Sequence, residues 1–114
     1  VVKNAGERPL PASIPSTAYW CEAAAHTPDS RTIWLNSHRA SSPRLVLRWL
    51  CARAQDVTDQ LDQPYAQPGH HWLTDETEHE RARTALAHGQ TFVLTLYDDT
   101  TRYVLSARPA GGTC

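Results

Sequence analysis

The sequence predicts a two-layer α+β sandwich: an antiparallel sheet of about four strands, built from two hairpins, with two helices on one face and the order β-β-α-α-β-β. Three observations carry that expectation. The runs Thr91–Tyr97 and Arg102–Arg108 alternate cleanly about the turn Asp98-Asp99-Thr100-Thr101. A long apolar stripe at helical spacing begins at the Ser42-Pro43 step. A second helical segment is bracketed by Asp75 and Gly89.

Residues 1–17 read as an extended, proline-rich lead-in, because Pro9, Pro11 and Pro15 remove backbone donors and fix φ. Ile14 is its natural anchor. The domain proper spans residues 18–109. Tyr19–Ala25 and Thr32–Asn36 read as a first hairpin about the turn Thr27-Pro28-Asp29-Ser30. With Ala25 set opposite Thr32, Trp20, Glu22, Ala24, Ile33 and Leu35 share one face. Tyr19, Cys21, Ala23, Ala25 and Trp34 share the other. The Ala-rich run 22–25 also suits a helix.

The first helix takes Ser42 as N-cap and Pro43 as its first residue. Val46, Leu47, Leu50, Ala54, Val57 and Leu61 form its main stripe, and Leu45, Trp49 and Ala52 a second, so its first half is expected to be sandwiched. Pro64 stops it, and residues 63–69 read as a loop. The second helix is capped by Thr74 or Asp75, carries Asp75, Glu76 and Glu78 at its positive end, and stops at Gly89. Its stripe is Ala82, Ala85 and Leu86, reinforced by Trp72 and Leu73.

In the C-terminal hairpin Phe92, Leu94, Leu96, Tyr103, Leu105 and Ala107 fall on one face, expected to meet Val46, Leu50, Val57 and Leu61. Val93, Thr95, Tyr97, Arg102, Val104 and Ser106 fall on the other. Residues 110–114 read as a flexible tail.

A chain of 114 residues makes one domain, and 40% hydrophobic content gives it a core. Net charge is −1, which disfavours a domain whose affinity comes from neutralising many phosphates or from an anionic membrane. No apolar run approaches the ~20 residues of a bilayer span. Lys3 is the only lysine and methionine is absent, as codon bias in a GC-rich bacterial genome would produce. Cys21, Cys51 and Cys114 do not make a secreted disulfide framework. A reduced, cytoplasmic setting is expected, with Cys51 acting as a small hydrophobe and a Cys21–Cys51 pair not required. The start at Val1 reads as a chain processed or excised from something longer.

Candidate chemistry is sparse. Glu76 and His79 make a Glu-x-x-His pair, and His70 or His71 would add a third zinc ligand. Adjacent histidines do not normally both reach one ion, and no second such pair exists, so Glu76, His79, Glu80 and Arg83 read as a solvated helix face. Cys21 and His26 differ in strand parity and point to opposite faces, while Cys51 lies in an apolar helix, so no thiolate–imidazole pair forms. Asp98-Asp99 suits a turn, and Asp56 with Asp59 an outer helix face. No phosphate-binding glycine loop, nucleophile elbow or dinucleotide fingerprint is present, and no cofactor is called for.

The aromatic inventory, four Trp and four Tyr against one Phe, favours protein contacts. The expectation is therefore a non-enzymatic binding or regulatory module, meeting a protein partner or a second copy as a homodimer. Its surface would comprise Thr95, Tyr97, Arg102 and Val104 with Trp34 or Trp49, one of these tryptophans being near the surface. One alternative is a nucleic-acid binder on the same face, with Arg39, Arg44 and Arg48 extending a basic strip. Another is a small metal-binding domain or metal-dependent hydrolase around His70, His71, Glu76 and His79.

Overall fold

The computed structural model describes residues 18–110; the lead-in and residues 111–114 lie outside the described residues. Seven elements follow in order: β1 Tyr19–His26, β2 Thr32–Ala40, α1 Pro43–Gln60, α2 Gln67–Leu73, α3 Glu76–Ala87, β3 Phe92–Tyr97 and β4 Arg102–Pro109. The strands form one antiparallel sheet in the order β2-β1-β4-β3. The two hairpins thus join through their β1 and β4 strands, and β2 and β3 are the edges. The helices cover one face only: α1 packs on β1, β4 and β2, α3 on β3 and β4, and α2 on α1.

The C-terminal hairpin has the register its alternation dictates. Phe92 faces Ala107, Leu94 faces Leu105 and Leu96 faces Tyr103, all towards the helices. Its tip is held by Asp98, whose Oδ1 accepts the amides of Thr100 (2.8 Å) and Thr101 (2.6 Å). These bonds to the ionised form hold the Asp98 carboxyl below the ordinary carboxylate range.

The first hairpin exists but differs from its expected register. Ala25 pairs with Ile33 rather than Thr32, and a bulge beside Ala23 and Ala24 sets Ala24 against Trp34 and Ala23 against Asn36. Ile33 therefore joins the helix-facing side, and Trp34 the outer side with Ala24, the reverse of the expected assignment. A slip of one residue exchanges faces, and turn chemistry alone does not specify it. β2 also runs on to Ala40, beyond the expected end at Asn36. In the turn, Ser30 adopts φ 66°, and Thr27 closes the loop with its amide donating to the Arg31 carbonyl at 2.9 Å.

α1 begins as expected: Ser42 Oγ accepts the Leu45 amide at 3.2 Å, and Pro43 needs no donor in the first turn. Val46, Leu47, Leu50, Ala54 and Val57 are buried, while Leu61 is only half-buried at the helix end. The core gathers Val46, Leu47 and Leu50 of α1, Trp72 of α2, Ala82 and Leu86 of α3, and Cys21, Leu105 and Ala107 of the sheet. Small side chains at Ala23 and Ala107 admit the helices close to the strands. Tyr19 spans the layers, its hydroxyl donating to the Leu86 carbonyl at 3.2 Å.

One local expectation is corrected and one open alternative is decided. Residues 67–69 belong to α2, not to a loop, and His70 and His71 lie on that helix. Pro68 is tolerated in its first turn, and Gly69 is buried where the helix meets Thr58 of α1. Asp75, rather than Thr74, caps α3, with its side chain accepting the Glu78 amide at 3.2 Å; Gly89 supplies the left-handed stop at φ 81°.

Candidate functional site

The register stacks the outward residues of all four strands into cross-strand rows. One row runs Trp34, Ala24, Val104, Thr95; the next runs Thr32, His26, Arg102, Tyr97; a third runs Ser37, Glu22, Ser106, Val93. No described element covers this face. Trp34 is 67% exposed, Tyr97 58% and Val93 53%. Ala24 is buried on the same face, shielded by the larger Trp34 and Val104 side chains on its flanking strands. The face is therefore a shallow apolar floor ringed by aromatic and charged groups.

Its charge is one-sided. Among the described residues, Arg39, Arg102 and Arg108 point outward against the single carboxylate Glu22. Glu22 is itself engaged, by the Trp20 indole N–H at 2.9 Å and by Arg108 at 3.5 Å. The compensating carboxylates sit elsewhere: Asp56, Asp59, Glu76, Glu78 and Glu80 on helices, Asp29, Asp98 and Asp99 in hairpin turns. A net charge near zero thus conceals a basic sheet face, while the helices balance internally, Arg44, Arg48, Arg53, Arg81 and Arg83 standing against Asp56, Asp59, Glu76, Glu78 and Glu80. Arg44 and Arg48 do not lie on the sheet; they are exposed on α1, and Arg48 shares a groove with Arg39 around the end of β2.

Of the residues expected to form the contact surface, Thr95, Tyr97, Arg102, Val104 and Trp34 come together. Trp49 does not. It is buried on the helical side, stacked on His38 with centroids 6.2 Å apart and ring planes 6° from parallel. The second apolar stripe of α1 is what buries it, packing the helix beside β2. Trp20 belongs to the outer face and was missed as a surface residue; its parity with Glu22 and Ala24 was the available signal.

Beneath β2, on the helical side, Ile33, Leu35, Val57 and Tyr103 line a groove of about 440 Å³ that also reaches Arg53 and Asp56. Arg53 pairs with Asp56 at 2.9 Å, and its Nε is buried without a protein partner. Ile33 and Leu35 are 43% and 48% exposed, so the groove opens along the sheet edge.

The histidines do not assemble. His79 is buried, its Nε2 is 2.8 Å from the Trp72 carbonyl, and its ring lies 4.6 Å from the Trp72 ring. It is a core residue of the α2–α3 corner, not part of a solvated face. The rest of that face is as expected: Arg83 pairs with Glu80 at 2.6 Å, and Arg81 pairs with Glu78 at 2.9 Å. His70 and His71 are exposed, and His71 faces Asp75 at 3.6 Å. Among the described residues no three His, Cys, Asp or Glu side chains are placed to hold one metal ion.

Cys21 and Cys51 are free thiols. Burial pushes the Cys21 thiol up to about 11, and burial with the nearby Glu76 raises that of Cys51, so neither is poised as a thiolate. His26 lies on the outer face with its Nδ1 3.1 Å from Thr32 Oγ1, away from Cys21 on the inner face. Among the described residues, no helix is long and apolar enough to cross a membrane. No protein-family model, no curated protein and no solved structure matches this chain.

Proposed function

We propose that this chain is a non-enzymatic binding module that meets a protein partner, or another copy of itself, through the outer face of its sheet. The observation that carries the reading is the grouping of Trp34, Tyr97 and Val93, each more than half exposed, on a sheet face that no described helix covers. Amphipathic aromatics beside arginine are the side chains that contribute most where protein surfaces meet. Two buried polar groups, His79 and Tyr19, are engaged in holding the fold.

The test is Tyr97→Ala combined with Arg102→Ala. Both side chains point to solvent, so the fold should survive with stability changed by no more than about 0.5 kcal/mol. Association measured by sedimentation, or capture of a partner, should weaken. A parent protein that is monomeric and captures nothing removes the reading.

A nucleic-acid reading is favoured by one specific observation, the three outward arginines beside Trp20, Trp34 and Tyr97 on an open sheet. Aromatics that stack bases and arginines that meet phosphates are the elements of single-strand recognition. A salt titration against mixed oligonucleotides decides it: absence of binding at roughly 50 mM salt eliminates it, because phosphate contacts are strongest there.

A further inference from the structure

We infer that the groove between the end of β2 and the first half of α1 is a docking site for a peptide segment of a partner protein, one that carries carboxylates beside an aliphatic or aromatic side chain. The inference goes beyond the outer-face reading and does not rest on it.

Arg31, Arg53, Arg81, Arg83 and Arg108 are each paired with a carboxylate. Among the described residues Arg39, Arg44, Arg48 and Arg102 are not, and Arg102 shares its recess with Asp98 and Asp99. The other three gather where β2 ends and α1 begins. Arg39 and Arg48 line a groove of about 600 Å³ with His38, Leu45, Trp49 and Ala52, and no described carboxylate lines it. Arg44 stands four residues before Arg48, on the same side of α1. Uncompensated positive charge around a concave surface concentrates a field that selects an anionic partner.

The helix itself is charged against its own stability here. α1 has no acidic residue in its first turn; it places Arg44 at the positive end of the macrodipole and repeats the charge at Arg48, where like charges four residues apart repel. Its carboxylates, Asp56 and Asp59, stand towards the negative end. A helix arranged for stability alone would carry the reverse. A local conflict of this kind marks a surface kept for contact.

The floor decides the class of partner. The second apolar stripe of α1 is covered at Trp49 but left open on either side, where Leu45 is half-buried and Ala52 exposed. Trp49 is buried with His38 stacked on its ring, so it offers no open face to a base. Leu45 and Ala52 instead offer aliphatic surface to a side chain, with Arg39 and Arg48 beside them for neighbouring carboxylates. The chain's own lead-in enters beside the groove at Ala18, but its charge is wrong: residues 1–17 carry Lys3 and Arg8 against Glu7. A second copy brings few unengaged carboxylates, since Glu22, Asp29, Asp56, Glu78 and Glu80 are each paired with an arginine of their own chain.

The experiment selects a phage-displayed library of random peptides on the full chain and measures the enriched peptides by fluorescence anisotropy. Enriched sequences should share Asp or Glu flanking Leu, Ile or Phe, and their affinity should fall as salt rises. Arg44→Glu and Arg48→Glu, measured separately, should each weaken binding at least about tenfold. Each puts a carboxylate near the positive end of α1, so the melting temperature should hold or rise. Lost binding without lost stability separates the proposal from a variant that fails to fold. On the unsubstituted chain, the Trp49 indole N–H resonance should shift as peptide is added.

A library that enriches nothing, or enriches sequences without carboxylates, overturns the inference. So does binding indifferent to both glutamates. Peptide affinity kept with the glutamates and lost with Tyr97→Ala and Arg102→Ala moves the contact to the outer face and leaves that reading standing. A Trp49 resonance that moves on Ile14→Asp, with no peptide present, gives the groove to the lead-in. If no peptide is enriched and oligothymidylate shifts that resonance, the groove belongs to nucleic acid instead.

Discussion

Gly69 of α2 lies so close to Thr58 of α1 that a β-carbon on the glycine would overlap the threonine hydroxyl. The same β-carbon would sit 3.2 Å from Thr58 Cβ and Cγ2. Both residues are buried, and this contact seats the short α2 on the longer helix. Gly69→Ala should therefore destabilise the fold by about 1–3 kcal/mol, the usual consequence of overfilling a packed site. Thr58→Ala vacates part of that space, so the double variant should recover a portion of the loss. Denaturant unfolding of the two single variants and the double one gives the coupling directly.

His79 and Trp72 form the second point of closure. The imidazole bonds the Trp72 carbonyl across the α2–α3 corner and packs on the indole. His79→Ala removes the bond and leaves a void, and should cost about 2–4 kcal/mol in urea unfolding. Because Nε2 faces a backbone carbonyl, a chelator should leave the melting temperature unchanged. A fall in melting temperature on chelation would restore a metal role for this region.

Ser30 holds a left-handed conformation at φ 66° in the β1–β2 turn. An L-residue with a β-carbon is disfavoured there, whereas glycine is not. Ser30→Gly should raise stability by about 0.5 kcal/mol, the lost strain being partly offset by the freer unfolded chain. Ser30→Val should lower stability. Thermal melts of the pair test the turn without touching the outer face.

Cys21 links stability to alkaline pH. Its thiol titrates near 9.0 when unburied and at about 11 in the fold, so between these values the native state holds a proton that the unfolded state has released. Stability should then fall as pH rises through this window, by about 2–3 kcal/mol at its upper end. Tyr103, raised by its burial and by Asp98, acts in the same direction. Cys21→Ala should flatten most of the slope. Near pH 8, site-resolved alkylation should label Cys21 roughly a hundredfold more slowly than an ordinary thiol, from its depressed thiolate fraction alone.

The outer sheet face is readable where one residue's neighbours along the chain determine its direction. Tyr97, Arg102, Thr95 and Val104 share a face because a tight hairpin allows no other register for that alternation. Trp34 falls among other neighbours than expected, since His26 rather than Ala25 pairs with Thr32, and a one-residue slip at the turn exchanges the faces. Trp49 is a surface candidate only because four tryptophans crowd a small core; the sandwiching that the second stripe of α1 predicts is what buries it, with His38 of β2 stacked on its ring.

Local chemistry alone determined the helix that starts at Ser42-Pro43, the glycine stop at Gly89, the C-terminal ribbon with its inward Leu94 and Leu105, and the sandwich these imply. Each depends on dihedral preferences and on side-chain period, which act over a few residues. The tertiary structure decided the order β2-β1-β4-β3, the burial of His79 against Trp72, and the gathering of Arg39, Arg102 and Arg108 on one sheet face. Those features depend on which distant segments meet. Pairing β1 with β4 leaves β2 at the edge, and no pattern within β2 itself carries that information.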